Sequence, residues 1–145
     1  MDQVINSSSR TTPRKKPRAE AVISGPAHQA YQILHVGFVM VPIVAGLDKF
    51  FNLLVNWEQY LPAFVNKMMG GHGHELMLVA GVIEIIAGLG VLFKPKFFAY
   101  VVSAWLLMIV VNLLMIPGYY DIALRDFGLA LGALALARLS QNFGR

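Results

Sequence analysis

The chain has 145 residues, 57% of them hydrophobic and only 14% charged, with a mean hydropathy of +0.59. An average soluble domain carries about 25% charged and about 45–50% apolar residues, so a soluble fold of this length would lack the polar side chains to cover its surface. A single domain fits the length, while a cytosolic enzyme, a nucleic-acid module and a wholly disordered chain do not.

The first segment, 1–28, differs from everything after it. It is rich in Ser, Thr, Pro and Arg/Lys, with RTTPRKKPRAE at its centre. Such a composition buries almost nothing, and it predicts a disordered basic tail or one lying on a membrane surface. It is too long and too rich in proline for a signal-peptide n-region, and no clean cleavage site follows.

Four apolar segments come next, at about 31–51, 76–93, 97–116 and 122–139. A helix rising 1.5 Å per residue needs about 20 residues, within a range of about 17–25, to cross a hydrocarbon core of about 30 Å. Backbone groups in lipid must bond within their own segment, so helices are the spanning form. The fold expected is an all-α membrane protein, a bundle of four transmembrane helices. Its first outer connection is the longest, and Trp57, Tyr60, Pro62 and Phe64 predict an interfacial, partly helical segment there. Lys94-Pro95-Lys96 and Pro117-Gly118 make the two tight links.

The basic residues set the expected orientation. The tail, the Lys94–Lys96 link and the C-terminal end hold nine of the twelve bases and two of the eight acids. Positive-inside then puts both termini in the cytoplasm. The high pI reads as topology, and no nucleic-acid partner is expected.

Few ionisable groups remain in the spans, where each costs at least about 2.5–3.5 kcal/mol at mid-depth. They are Asp48 and Lys49 at the end of the first span, Glu84 in the second, and Arg125 and Asp126 in the fourth, joined by Asn112 in the third. Glu84 is the deepest, roughly 12 Å below the start of its helix at 1.5 Å per residue. Contributions from all four helices can converge on one cavity. Three acids against two bases leave one carboxylate over, which favours a bound proton or a cationic guest. The same cluster can serve architecture alone, fixing helix order. Neighbours on a helix point about 100° apart, so one member of Asp48/Lys49 and one of Arg125/Asp126 is expected to face outer water or headgroups.

Other polar features carry weaker chemistry. His72 and His74 with Glu75, and Glu58 as a further ligand, offer a loose, Gly-rich metal set; the plainer reading is a flexible loop whose Glu75 favours a helix N-terminus. His35 has no second histidine at matching depth in another span, so haem is not expected. Cysteine is absent, which removes disulfides, thiolate nucleophiles and Cys-ligated metal centres. Small residues at Gly81 and Gly88, and at Gly128, Gly132, Ala133 and Ala137, mark close helix contacts or a face for homo-oligomers.

A first span ending Gly46-Leu47-Asp48-Lys49-Phe50-Phe51, a second reading Gly81-Val-Ile-Glu84-Ile-Ile-Ala-Gly88-Leu-Gly90, and a fourth with Arg125-Asp126 before a Gly/Ala-rich run resemble the DoxX family of small four-helix membrane proteins. The likeness covers roughly residues 30–140. It implies a bacterial or archaeal inner-membrane protein, with Lys49, Glu84, Arg125 and Asp126 as the family-type polar residues. Relatives of that kind include subunits of membrane oxidoreductase assemblies, such as the DoxD subunit of thiosulfate:quinone oxidoreductase. The expected function is an accessory or quinone-contacting subunit of a larger membrane redox complex, in contact with the lipid bilayer and with other membrane subunits. A quinone needs an apolar slot with one or two polar groups, which Glu84 with Arg125 or Asn112 can supply. The alternatives are a small carrier of protons or polar solutes and a purely structural docking subunit. Standalone catalysis is not expected.

Overall fold

The computed structural model describes residues 25–144, so the basic tail read over 1–28 lies almost wholly outside the described residues. The described chain is helical throughout, without a strand. Four long helices, α1 (Pro26–Phe51), α3 (Gly73–Phe93), α4 (Pro95–Leu114) and α5 (Tyr120–Phe143), are joined by short links except after α1. That connection holds a 3-10 turn (Trp57–Tyr60) and a short helix, α2 (Ala63–Met68). Three of the long helices, α1, α3 and α4, are long and apolar enough to cross a membrane.

Helix ends follow local chemistry. α1 starts at Pro26, earlier than the apolar run at Tyr31, because proline at the first helical position has its φ already set and needs no N–H partner. α4 starts at Pro95 for the same reason, which reduces the link after α3 to Lys94 alone. Pro95 also leaves the Val91 carbonyl without its helical donor. The His35 Nε2–H of α1 donates to that carbonyl at 2.9 Å, and the imidazole stacks on Tyr31. In the long connection, Gly70 and Gly71 take φ of 66° and 88°, which turns the chain into α3.

The four helices form two tight antiparallel pairs, α1 with α3 and α4 with α5, joined by lighter α3–α4 and α1–α5 seams. Glycine brings the first pair together. A Cβ on Gly46 would lie 2.5 Å from the Gly81 carbonyl oxygen, and one on Gly81 would lie 2.7 Å from that of Gly46. Two turns along, a Cβ on Gly88 would meet Ile43 and the Val39 carbonyl. Alanine does the same for the second pair. The buried positions of α5 are Ala123, Asp126, Ala130, Ala133, Leu136, Ala137 and Ser140, recurring every three or four residues except for the adjacent Leu136 and Ala137. α4 in turn buries Pro95, Ala99, Val102, Ser103 and Leu113. This is heptad packing with a small-residue seam, and the Ser103 hydroxyl crosses it to the Ala130 carbonyl at 2.9 Å.

The outward faces are apolar. Ile33, Val36, Met40 and Val44 of α1, Val79, Val82 and Ile86 of α3, and Leu107, Met108 and Val111 of α4 are all exposed. A soluble monomer rarely leaves an apolar patch beyond a few hundred Å². These faces suit a lipid bilayer.

One expected contact is absent. Gly132 lies against the Phe38 ring, but a Cβ on Gly128 would meet nothing within 4 Å. The two glycines therefore predict opposite mutational outcomes. Gly81→Val forces backbone against backbone and lowers stability by about 1–3 kcal/mol. Gly128→Ala gains up to about 1 kcal/mol from helix propensity. Thermal unfolding of both variants in one detergent checks the signs.

Candidate functional site

Lys49 sits in the last turn of α1 and Glu84 near the middle of α3. Side chains on a helix lean toward its N-terminus. In antiparallel helices that tilt sends Lys49 down along the bundle and Glu84 up toward it. Lys49 Nζ donates to Glu84 Oε2 at 2.6 Å, with the two side chains only 5% and 10% exposed. The other carboxylate oxygen, Oε1, accepts from the Trp105 indole of α4 at 3.3 Å. The ammonium also lies 3.7 Å from the centre of the Trp57 ring, a cation–π contact.

Asp48, next to Lys49, is equally buried but serves a different purpose. Its carboxylate turns back over the end of α1 and accepts from the Leu53 and Leu54 amides, at 2.9 and 3.1 Å. It accepts from the Trp57 indole as well, at 2.7 Å. Neither Asp48 nor Lys49 faces outward, contrary to expectation, because the chain reverses at Asn52 (φ 49°) and supplies donors for one while α3 supplies a carboxylate for the other. In the second adjacent pair one partner does point out. Arg125 is 66% exposed, and its Nε donates at 3.1 Å to Asp126, which is 10% exposed.

These groups surround a cavity of about 410 Å³ between the four long helices, near the end that carries the long connection. Small-molecule sites measure about 300–1,000 Å³. Lys49, Glu84, Asn112, Arg125 and Asp126 all line it, with Trp57, Tyr60 and Trp105. Apolar side chains such as Met77, Leu106, Ile109 and Leu129 make up most of the remainder. A second space of about 70 Å³, floored by Phe38 and Pro42, continues past Glu84 on the far side. Asn112 reaches across from α4 and donates to the Tyr60 carbonyl at 2.7 Å. Asp48 and Asn112 thereby tether the 3-10 turn over the cavity by its Trp57 and Tyr60 ends.

The structure gathers five of the six expected polar residues and sends Asp48 elsewhere. With Asp48 committed to amide and indole donors, the cavity wall carries two contacting pairs, Lys49 with Glu84 and the largely exposed Arg125 with Asp126. The expected surplus carboxylate is gone from it. Sequence reasoning missed Trp105 as a site residue. The signal was there: Glu84 lies ten residues before Lys94 and Trp105 eleven after it, hence at one depth on adjacent helices, and a buried indole N–H seeks a partner.

The His-rich segment forms separate pairs. His72 Nδ1 lies 3.3 Å from Glu75 and His74 Nδ1 lies 2.8 Å from Glu58, all on the surface. Among the described residues no three His, Cys, Asp or Glu side chains gather as a metal site.

Two predictions follow the geometry. Lys49→Met leaves Glu84 buried without its counter-charge and lowers stability by about 3–5 kcal/mol. The Lys49→Met/Glu84→Gln double variant recovers most of this loss, measured by unfolding in detergent. Asp48→Ala frees the Leu53 and Leu54 amides, and hydrogen exchange rises there while the middle of α1 keeps its protection. Compared with known families, curated proteins and solved structures, the chain matches no family model, no curated protein and no solved structure.

Proposed function

We propose that the chain is a four-span integral protein of a bacterial or archaeal inner membrane, with both termini cytoplasmic, that holds a neutral quinone-class guest as a subunit of a larger redox assembly. The observation that carries this reading is the cavity of about 410 Å³ with balanced charges and an otherwise apolar wall. An unpaired charge inside would select an ion. Two bases against two acids select a guest of no net charge, and the apolar wall selects a largely hydrocarbon body. Lys49 Nζ, which keeps two N–H groups beyond the one given to Glu84, would meet the guest's oxygens as a donor, with the Glu84 carboxylate beside it, held in place by the Trp105 indole. When bound, a quinone supplies two-electron redox chemistry; the chain supplies the slot, the donors and the exclusion of water.

The fourth span is supported by the two faces of α5. Its outward side carries exposed Leu124, Phe127, Leu131 and Leu134, while the residues that lower its hydropathy, Asp121, Arg125, Asp126, Arg138, Gln141 and Asn142, lie toward its two ends. At 24 residues it is long enough to cross. The orientation rests on the excess of basic residues in the tail, the Lys94–Lys96 link and the C-terminal end. The redox assembly rests on the resemblance to the DoxX family, whose polar residues correspond here to Lys49, Glu84, Arg125 and Asp126.

Both tryptophans of the chain line the cavity, so intrinsic fluorescence reports its occupancy. Titrating decylubiquinone into the purified protein in nanodiscs is expected to give saturable quenching. Glu84→Gln, which keeps the shape but not the charge, is expected to weaken binding about tenfold with helix content unchanged, in line with about 1.5–3 kcal/mol for hydrogen bonds involving charged groups. Linear, non-saturating quenching in the wild type would sink the proposal.

A further inference from the structure

We infer that the cavity opens sideways toward lipid, through a slot between α1 and α5, and that the guest carries an aliphatic chain lying in this slot. The inference rests on the reading of the cavity as a guest site and adds to it a route and a second chemical requirement.

The α1–α5 seam is one of the two light ones in the bundle. It is closed at Gly132, where a Cβ would come within 3.2 Å of the Phe38 ring. One turn toward the connection end, on the same face of α5, Gly128 has nothing within 4 Å. The seam is therefore shut at one level and open at the next. Val41 of α1 and Leu129 of α5 flank the opening. Both line the large cavity and the smaller one, yet they are 56% and 36% exposed. The same two residues thus face the interior space and the outside.

The axial route is obstructed by comparison. Trp57 and Tyr60 stand over the cavity, held by the Asp48 carboxylate and the Asn112 amide. A water-soluble solute would have to displace this tethered turn. A lipid-soluble one needs only to pass Val41 and Leu129, whose side chains match its own chemistry. Polar groups lie at the deep end, on Lys49, Glu84 and Trp105. The guest that satisfies both ends has a neutral hydrogen-bonding head and an aliphatic tail, the head inside and the tail in the slot.

The test uses the full chain in nanodiscs, with Trp57 kept because it holds the turn over the cavity, and reads the tryptophan emission of Trp57 and Trp105 together. Gly128→Leu fills the bare place in the seam without altering a residue that lines the cavity. In lipids brominated on their acyl chains, Gly128→Leu is expected to reduce quenching of the tryptophan emission by at least half. In ordinary lipids it is expected to weaken decylubiquinone binding at least tenfold and to leave the tail-less ring, 2,3-dimethoxy-5-methyl-1,4-benzoquinone, within twofold. Unchanged bromine quenching overturns the slot. Equal loss of the tailed and tail-less quinones overturns the placement of the tail. If neither quinone binds the parent protein while bromine quenching still falls on filling the seam, the lateral opening stands and the quinone reading fails.

Discussion

The Lys49–Glu84 pair sets the position of everything around it. Neither charge is tolerable alone in an apolar helix bundle, where an ionised group costs at least about 2.5–3.5 kcal/mol. The contact is 2.6 Å, and sliding α1 against α3 by one turn would move the partners about 5.4 Å apart. The pair therefore fixes the register of the two helices. It also depends on them: only glycine at both 46 and 81 lets the backbones come close enough for a lysine on one to reach a glutamate on the other. A third helix joins through the Trp105 indole, and the long connection joins through the Trp57 ring. One ion pair thus touches four separate parts of the chain.

The cavity follows from how the two helix pairs are made. Gly46, Gly81 and Gly88 pull α1 onto α3, and the alanine seam pulls α5 onto α4. The α3–α4 and α1–α5 seams instead set a glycine against an aromatic ring, Gly90 against Phe98 and Gly132 against Phe38. Two closely packed pairs set side by side across looser seams leave space between them. That space comes near the connection end, where Trp57 and Tyr60 cover it from above. Asp126 occupies a position that alanine holds elsewhere along α5, and it brings the one charge of that seam to the cavity wall.

Much of this was legible in the sequence, for identifiable reasons. Helix existence and approximate extent followed from apolar runs, whose length reports directly on span. The roles of Gly81 and Gly88 were legible because a glycine inside a span has few other uses. The helix starts at Pro26 and Pro95 were not, since an apolar run marks burial in lipid, whereas a proline start marks only backbone geometry. Spacing places Gly128 and Gly132 on one face but cannot say that only Gly132 meets a neighbour within the chain. Among the polar residues, the sequence named the charged groups near the cavity but not their partners. Hydrogen bonds to backbone amides, such as those that engage Asp48, depend on where the chain turns after the helix, and nothing in residue identity records that.

The fate of Asp48 has the largest chemical consequence. Counted by composition, the polar groups of the expected spans hold three acids and two bases, and that surplus points to a proton or a cation. Counted by geometry, one acid is consumed by the Leu53 and Leu54 amides and the Trp57 indole, three donors that are themselves uncharged. A carboxylate satisfied by neutral donors keeps its charge, but projects it onto the turn rather than into the cavity. What then lines the cavity is Lys49 paired with Glu84, and Asp126 paired with the largely exposed Arg125, each in contact with its opposite. Paired charges still offer strong donors and acceptors at short range, while their long-range fields largely cancel. A cavity of that kind discriminates by hydrogen-bond geometry and shape instead of by net charge. The residue that takes no part in the cavity is thus the one that decides what class of molecule suits it.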